Sequence, residues 1–245
     1  MQKTSNGTER RLVTCLATSG AEVRAAQELR YRVFHDELGA RLVTERALDE
    51  DGYDRWCDHL LVRDGDDGPV VGTYRMLSGR VARRLGGFYS EHEFDLGAVR
   101  DLPDVVEIGR ACVDPAYRDG AVVARLWAGL ARYLHEVGAR YVIGCASIFA
   151  GDDPRSAAAI CRVLLRDHRG PAEWRVVPRR AFTLPDTGAA SPGELPALIR
   201  GYLRLGAWVC GHPAWDPDFG TVDLLLLLPV SRIPMRYARR LARAA

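Results

Sequence analysis

The sequence lacks any apolar run near the roughly 18 residues that a membrane-spanning helix needs. Its most hydrophobic stretch is only Leu224 to Leu228. It also lacks a strong charge balance. Thirty-four Lys and Arg face 32 Asp and Glu, a formal net charge of +2. That argues against a general nucleic-acid binder, while local basic patches remain open. The six cysteines, at 15, 57, 112, 145, 161 and 210, form no CxxC pair and no metal-ligand spacing. Several sit in apolar runs, as reduced core residues of a cytosolic protein do. The polar N-terminus has no secretory leader pattern. There is no internal repeat and no low-complexity tract. Composition is otherwise that of an ordinary globular protein, and 245 residues admit one large domain or two small ones.

What the sequence has is a central segment, Val105 to Ile148. Val105-Val-Glu-Ile-Gly-Arg-Ala-Cys-Val113 reads as a buried strand. Asp114-Pro115 and Asp119-Gly120 make turns. Val122, Val123, Leu126, Trp127, Leu130, Tyr133, Leu134 and Val137 then recur at helical spacing, and Gly138 suits the helix end. A second apolar run, Tyr141 to Phe149, follows. Strand, helix, strand predicts a parallel crossover. The turn before the helix aims backbone N–H groups at an anion, often a phosphate.

Arg118-Asp-Gly-Ala-Val122 resembles a shortened pyrophosphate loop of the GNAT acyltransferase superfamily, with Val122 where a second glycine is usual. Such departures occur in relatives that take acyl chains from acyl carrier protein. The wider pattern is similar to the ornithine N-alpha-acyltransferases, which make lyso-ornithine lipid. The matching stretches are Leu29-Arg-Tyr-Arg-Val-Phe34, Cys57-Asp-His-Leu-Leu-Val62, Val71-Gly-Thr-Tyr-Arg75, Gly87-Phe-Tyr-Ser-Glu91, Glu93-Phe-Asp-Leu96, Gly144-Cys-Ala-Ser147 and Gly201-Tyr-Leu-Arg-Leu-Gly-Ala-Trp208. They span nearly the whole chain. The resemblance implies a GNAT-like α/β fold with a mixed central sheet flanked by helices. Two adjacent parallel strands splay apart and the acyl-phosphopantetheine arm lies between them. The implied donor is acyl carrier protein, the acceptor L-ornithine, and the reaction direct aminolysis of a 3-hydroxyacyl thioester.

The chemistry makes three demands. The attacking amine must lose a proton, which falls to Glu107 in the central strand. The tetrahedral oxyanion needs donors, for which the backbone of Ala111, Cys112 and Val113 is suitable. The amino acid must be held by its carboxylate, at Arg75 or Arg110, and by its side-chain ammonium, at Asp51 or Asp54. Arg118, Gly120 and Val122 form the donor loop by resemblance. Arg30 and Phe34 lie four apart on one helix, so they share a face. Sequence alone favours a surface Arg beside a core Phe. The resemblance implies a site-facing pair, because the same two residues recur in related acyl-carrier-dependent synthases. Asp51 and Asp54 otherwise read as a solvated turn. Their resemblance to acyl-homoserine-lactone synthases implies a salt-bridge cluster with arginines. A bulge near Glu107 and Arg110 would alter which side chains share a face. Cys57 and His59 share a strand face but have no third orienting group, and direct transfer needs no covalent intermediate. No metal or cofactor is expected beyond the donor's phosphopantetheine.

The rest follows in order. Residues 1–9 read as a flexible N-terminus and 10–230 as one GNAT-like domain. Ser19-Gly-Ala-Glu22 has capping-box spacing. A hairpin joins His59–Val62 to Val70–Leu77 through Asp64-Gly-Asp-Asp-Gly68. Gly86 to Leu96 is expected to cover the acyl end. Asp153 is a helix cap, Trp174 to Val177 a short strand, and 185–197 a loop. The tail, 231–245, carries Arg232, Arg236, Arg239, Arg240 and Arg243. It is either a solvated helix or a contact for anionic headgroups, which would make the protein peripheral on the inner face of the membrane. Two rival readings stand beside the main one. One is another acyl-carrier-dependent N-acyltransferase, making an acyl-homoserine lactone or a different N-acyl amino acid. Against the lactone, Gly109 stands where those synthases usually have serine. The other is a non-catalytic module that binds acyl chains or membranes.

Overall fold

The computed structural model describes residues 11–42, 44–151, 154–185 and 195–235. In chain order the elements are β1 (Leu12–Leu16), α1 (Gly20–Tyr31), β2 (Asp58–Asp64), β3 (Val70–Ser78), α2 (Gly79–Leu85), β4 (Phe94–Asp95), β5 (Val105–Val113), α3 (Ala121–Glu136), β6 (Tyr141–Phe149), α4 (Pro154–Asp167), β7 (Val177–Pro178), α5 (Ala197–Arg204), β8 (Trp208–Val209), β9 (Ala214–Asp216) and β10 (Thr221–Pro229). The main sheet runs β1-β2-β3-β5-β6-β10-β8, with β9 also on β10. Only β5 and β6 are parallel; the other pairings are antiparallel. This is the expected mixed sheet with flanking helices. Among the described residues no helix is long and apolar enough to cross a membrane.

Strand alternation sorts the core into two faces. Tyr74, Met76, Val106 and Ile108 pack on Val122, Leu126, Leu130 and Tyr133 of α3. Leu77, Val105, Ile143, Leu225 and Leu227 face the other way, onto Phe88, Phe94, Leu96 and Val99 of the 86–102 segment. Each fully buried Leu or Phe contributes about 1.5–3 kcal/mol. Helix α3 lies close on the sheet because Gly72 has no side chain; a Cβ there would come within 2.5 Å of Val122 Cγ1.

The feature that positions the site is where β5 and β6 part. Their parallel pairing covers only Val105↔Tyr141, Val106↔Val142 and Glu107↔Ile143. Beyond it, β5 stays with β3 and β6 stays with β10 over nine pairs. Gly144 sits at the fork; a Cβ on it would lie 2.3 Å from the Ile108 carbonyl oxygen. The expected bulge is present. The β3–β5 register shifts between Thr73 and Arg75, and Arg110 takes φ +50°.

Several local expectations change. The Ser19–Glu22 capping box forms, but α1 passes into a π-helical turn, Arg32–Glu37. The 174–177 segment is a 3-10 turn at Ala172–Trp174, and β7 starts at Val177. Of the tail, Arg232 stacks on Trp208 at 4.4 Å and donates to the Gly206 carbonyl. Residues 1–9, the Asp153 cap, most of the 185–197 loop and Arg236, Arg239, Arg240 and Arg243 lie outside the described residues.

Candidate active site

A cavity of about 320 Å³ occupies the fork between β5 and β6, within the size range of small-ligand sites. On the α3 face of the sheet its walls are apolar: Tyr74, Ile108, Val142, Leu226, Leu228 and Tyr202. On the opposite face the charged residues gather, Arg75, Glu107, Arg110, Glu93, Asp216 and Asp223, beside Leu77 and Ile143. Register explains the division. Arg75 pairs with Gly109, Leu77 with Glu107, and Asp223 with Ser147, so these side chains share one face. Alternation alone would send Arg110 with Ile108 to the apolar side. Its left-handed backbone turns it back to join Arg75.

Beside the cavity is a buried cluster of arginines and aspartates. Arg30 Nε donates to Asp49 Oδ2 at 2.8 Å, and its Nη atoms donate to both Asp54 oxygens at 3.0 Å. Another Nη–H bond goes to the Asp49 carbonyl. Arg75 donates to Asp51 at 2.7 Å and Asp54 at 2.9 Å. Arg110 lies 3.1 Å from Asp49 and 3.6 Å from Asp51. Tyr89 completes the group. Arg75 and Arg110 stand 5.0 and 4.6 Å from its ring centroid, and Arg110 donates to its hydroxyl at 3.1 Å. Burial opposes ionisation of Asp54, but the Arg30 and Arg75 guanidiniums outweigh it and hold its carboxyl well below the usual range. Burial also opposes charge on Arg75, and Asp51 and Asp54 reverse that.

The predicted site residues therefore separate. Phe34 lines the cavity, edge-on to Phe219 at 5.7 Å. Arg30 does not line it; the side chain is fully buried and its donors go to Asp49 and Asp54. The two side chains therefore part in their partners, Arg30 going to the aspartates and Phe34 to the cavity wall. Asp51 and Asp54 join arginines, as the resemblance implied, and this removes them as receptors for a substrate ammonium. Asp54 already accepts from Arg30, Arg75, Gln27 and the Asp51 N–H.

Glu107 is buried and lines the cavity. Its oxygens accept the Tyr89 and Ser90 N–H groups, each at 2.8 Å. Burial raises its carboxyl above the ordinary value, although these bonds favour the charge. Its partners are thus backbone donors of the 89–92 turn, not Arg75 or Arg110. That turn lies against the cavity beside Glu107. Cys57 lines the cavity, but burial pushes its thiol up to about 12. His59 Nε2 is bonded to the Asp54 carbonyl at 2.9 Å. The pair is no activated thiol.

At the donor loop, Gly120 caps α3 with φ +97°, a backbone region that favours glycine. Asp119 accepts the Ala121 N–H at 3.0 Å. Arg118 forms a two-pronged ion pair with Glu37 at 2.5 and 2.7 Å and donates to the Val113 carbonyl. The Val122 side chain points into the core against Gly72, away from the anion position at the helix end. Ala111 lines the cavity, Cys112 packs into the α1 core, and Val113 pairs with Gly72.

Asp49, Tyr89, Glu93, Asp216, Phe219 and Asp223 were not singled out from sequence as site residues. One signal was available for Asp223: it is the only charged residue in Thr221–Pro229, otherwise the most apolar strand.

A family profile for the acetyltransferase (GNAT) domain matches residues 29–128. Among solved structures, the N-acyl amino acid synthase FeeM from uncultured soil microbes aligns with a TM-score of 0.59 at 12% identity, covering 94% of this chain and 98% of FeeM. The acyl-homoserine lactone synthase LasI aligns at 0.53 and 13% identity, over 91% of each chain. With the forked sheet, they show a GNAT-like fold. Sequence relatives narrow this. The L-ornithine N(alpha)-acyltransferase of Rhizobium meliloti is 41% identical over 92% of this chain and 82% of its own length. That of Brucella abortus is 38% identical over 91% and 85%. The chain belongs to the L-ornithine N(alpha)-acyltransferase family.

Proposed function

We propose that this acyltransferase moves a 3-hydroxyacyl chain from acyl carrier protein to the alpha-amine of L-ornithine, giving lyso-ornithine lipid. The observation that carries the reading is the forked cavity, apolar on one sheet face and charged on the other. An acyl chain suits the first face and a charged amino acid the second. The names of the relatives support ornithine as the acceptor.

In this mechanism the acyl-phosphopantetheine arm enters the fork and the backbone of the Ala111 bulge receives the oxyanion. Arg110 or Arg75 holds the acceptor carboxylate. Glu107 accepts the amine proton, directly or through water. Each of its oxygens has spent one lone pair on the 89–92 turn and keeps another for this purpose. Its raised pKa brings it nearer the operating pH. No metal takes part. Asp119 at the start of α3 and the engaged Arg118 disfavour a diphosphate, which supports a carrier-protein donor over coenzyme A. The tail arginines would add reversible contact with anionic lipid.

The test uses purified chain with 3-hydroxyacyl carrier protein, matched acyl-CoA, L-ornithine and homoserine, read by mass spectrometry. N-acyl ornithine from the carrier donor is expected. Acyl-homoserine products, equal use of acyl-CoA, or no product would each remove the corresponding part. Glu107→Gln should lower turnover by about 10² to 10⁴ if Glu107 is the base, with a smaller loss at high pH where the amine is already neutral. Its amide NH₂ would also confront a backbone N–H, so loosening of the turn alone predicts a lower melting temperature without that pH rescue. Changing Arg236, Arg239 and Arg240 together to Gln should reduce cosedimentation with anionic vesicles.

A further inference from the structure

At the charged end of the cavity, away from the arginines, stand three carboxylates: Glu93 after the 89–92 turn, Asp216 at the end of β9, and Asp223 on β10. One ligand oxygen from each lies within 4.8 Å of the others, and all three residues line the cavity. Asp223 is only 3% exposed; Glu93, Ser147 and Thr221 stand beside its carboxylate, yet among the described residues its Oδ1 has no hydrogen-bond partner. Glu93 Oε2 and the neighbouring Thr221 Oγ1 are likewise buried and unpartnered. Asp216 Oδ1 accepts the Asp218 and Phe219 N–H groups, which leaves its other oxygen free. Among the described residues no arginine, lysine or histidine pairs with any of the three.

Buried polar groups are nearly always satisfied, and an unpaired one strongly destabilises. A cluster of unsatisfied oxygens on a cavity wall is therefore built for something that enters. What enters must donate and carry positive charge. An ammonium offers three N–H donors in tetrahedral directions. With N···O contacts of ~2.8 Å, its acceptors would stand roughly 4.6 Å apart, and the three oxygens here lie within 4.8 Å of one another.

We propose that Glu93, Asp216 and Asp223 form the receptor for the distal ammonium of a diamino-acid acceptor, and so set acceptor specificity. This rests on the reading of the chain as an amino-acid N-acyltransferase and deepens it. The alpha-amine would then lie toward Glu107 and the alpha-carboxylate toward Arg110 or Arg75. Cys145, on β6, lies between the two ends, within electrostatic reach of Glu107, Glu93 and Asp223. Burial and the neighbouring Asp223 push the Glu93 carboxyl up to about 9, and burial raises Asp223 too. A bound cation would displace such a proton, so binding should release protons to the buffer.

The experiment compares L-ornithine with norvaline, the same skeleton without the distal amine, in the parent chain and in Asp223→Asn, Glu93→Gln and Asp216→Asn. In the parent, kcat/KM should favour ornithine by roughly 10² or more, because a site built for a polar group rejects the analogue lacking it. Each variant should shrink that ratio toward unity, through ornithine KM more than kcat. Three variants guard against one failing to fold. An equal loss on both acceptors would mean a structural role and overturn the assignment. So would calorimetric binding of Mn²⁺ or Ca²⁺ that Asp223→Asn abolishes while the acceptor ratio is kept. Lysine and 2,4-diaminobutyrate complete the panel. If the parent prefers one of these and Asp223→Asn removes the preference, the receptor stands and ornithine as substrate falls. If ornithine is the acceptor and no variant alters the ratio, the reverse holds.

Discussion

Two carboxylate clusters border one cavity and differ in one respect. Asp49, Asp51 and Asp54 are matched by Arg30, Arg75 and Arg110, and Asp54 accepts on both oxygens, although Arg110 Nε makes an ion pair with Asp49 without a well-formed hydrogen bond. Among the described residues Glu93, Asp216 and Asp223 pair with no cation, and Glu93 Oε2 and Asp223 Oδ1 have no hydrogen-bond partner. In the first, guanidiniums hold the Asp54 carboxyl well below its ordinary range; in the second, burial and Asp223 push the Glu93 carboxyl up to about 9. A satisfied buried network fixes shape, because breaking it strands a charge. An unsatisfied one lowers stability until a ligand arrives. The residues closest to acidic in the sequence motif, Asp51 and Asp54, are therefore architecture. The scattered ones fit recognition.

The largest effect should come from breaking the satisfied cluster. Asp54→Asn leaves Arg30 and Arg75 short of a counter-charge and should lower stability by about 3–5 kcal/mol, as loss of one partner of a buried pair does. Denaturant unfolding measures it. Asp223→Asn should act the other way. It removes a buried carboxylate with like-charged neighbours, so stability without substrate should rise by about 0.5–2 kcal/mol as acceptor selectivity falls. If both variants destabilise alike, the contrast between the clusters fails.

The same contrast should divide the pH dependence. Asp54 has a depressed folded pKa. Its contribution is present above its unfolded value, near 3.8, and is lost as pH falls further. Glu93 is raised from 4.5 to about 9. The folded state then binds more protons than the unfolded state across that window, so stability falls as pH rises from about 4.5 to about 9. Melting temperature from pH 5 to 9 should decline in the parent and decline less in Glu93→Gln. Identical profiles would mean that Glu93 ionises normally.

Much of the fold was legible because it is local. The β5–α3–β6 crossover follows from hydropathic period and the Asp-Gly turn. Arg75 was visible as a charge in an apolar strand. Asp223 carried the same signal but sat in a run whose hydropathy drew attention to burial instead. Other features depend on distant partners. The Arg110 bulge was foreseen, but its consequence needs Asp49 and Tyr89 in place. Arg30 parts from Phe34 because Asp49 and Asp54, distant in sequence, take its donors. Glu93, beside β4, and Asp223, on β10, meet only in the folded chain. No sequence window contains both.

The smallest effect belongs to the exposed pair at the donor loop, Arg118 with Glu37, whose side chains are 43% and 32% exposed. Water screens it, so Glu37→Gln should change stability by only about 0–1 kcal/mol despite short bonds. This is the control for the two buried clusters: similar chemistry without burial. Its influence should appear in binding. Losing Glu37 frees Arg118 and removes a negative charge beside the loop where an acidic carrier protein is proposed to dock. Electrostatic attraction then acts mainly on encounter. At low salt, KM for the acyl carrier should fall a few-fold, with kcat unchanged. The gain should vanish near 0.5 M salt, where the Debye length has shrunk to about 4 Å. A KM that ignores the substitution at low salt would exclude Arg118 from the carrier's footprint and leave the donor to be recognised inside the fork.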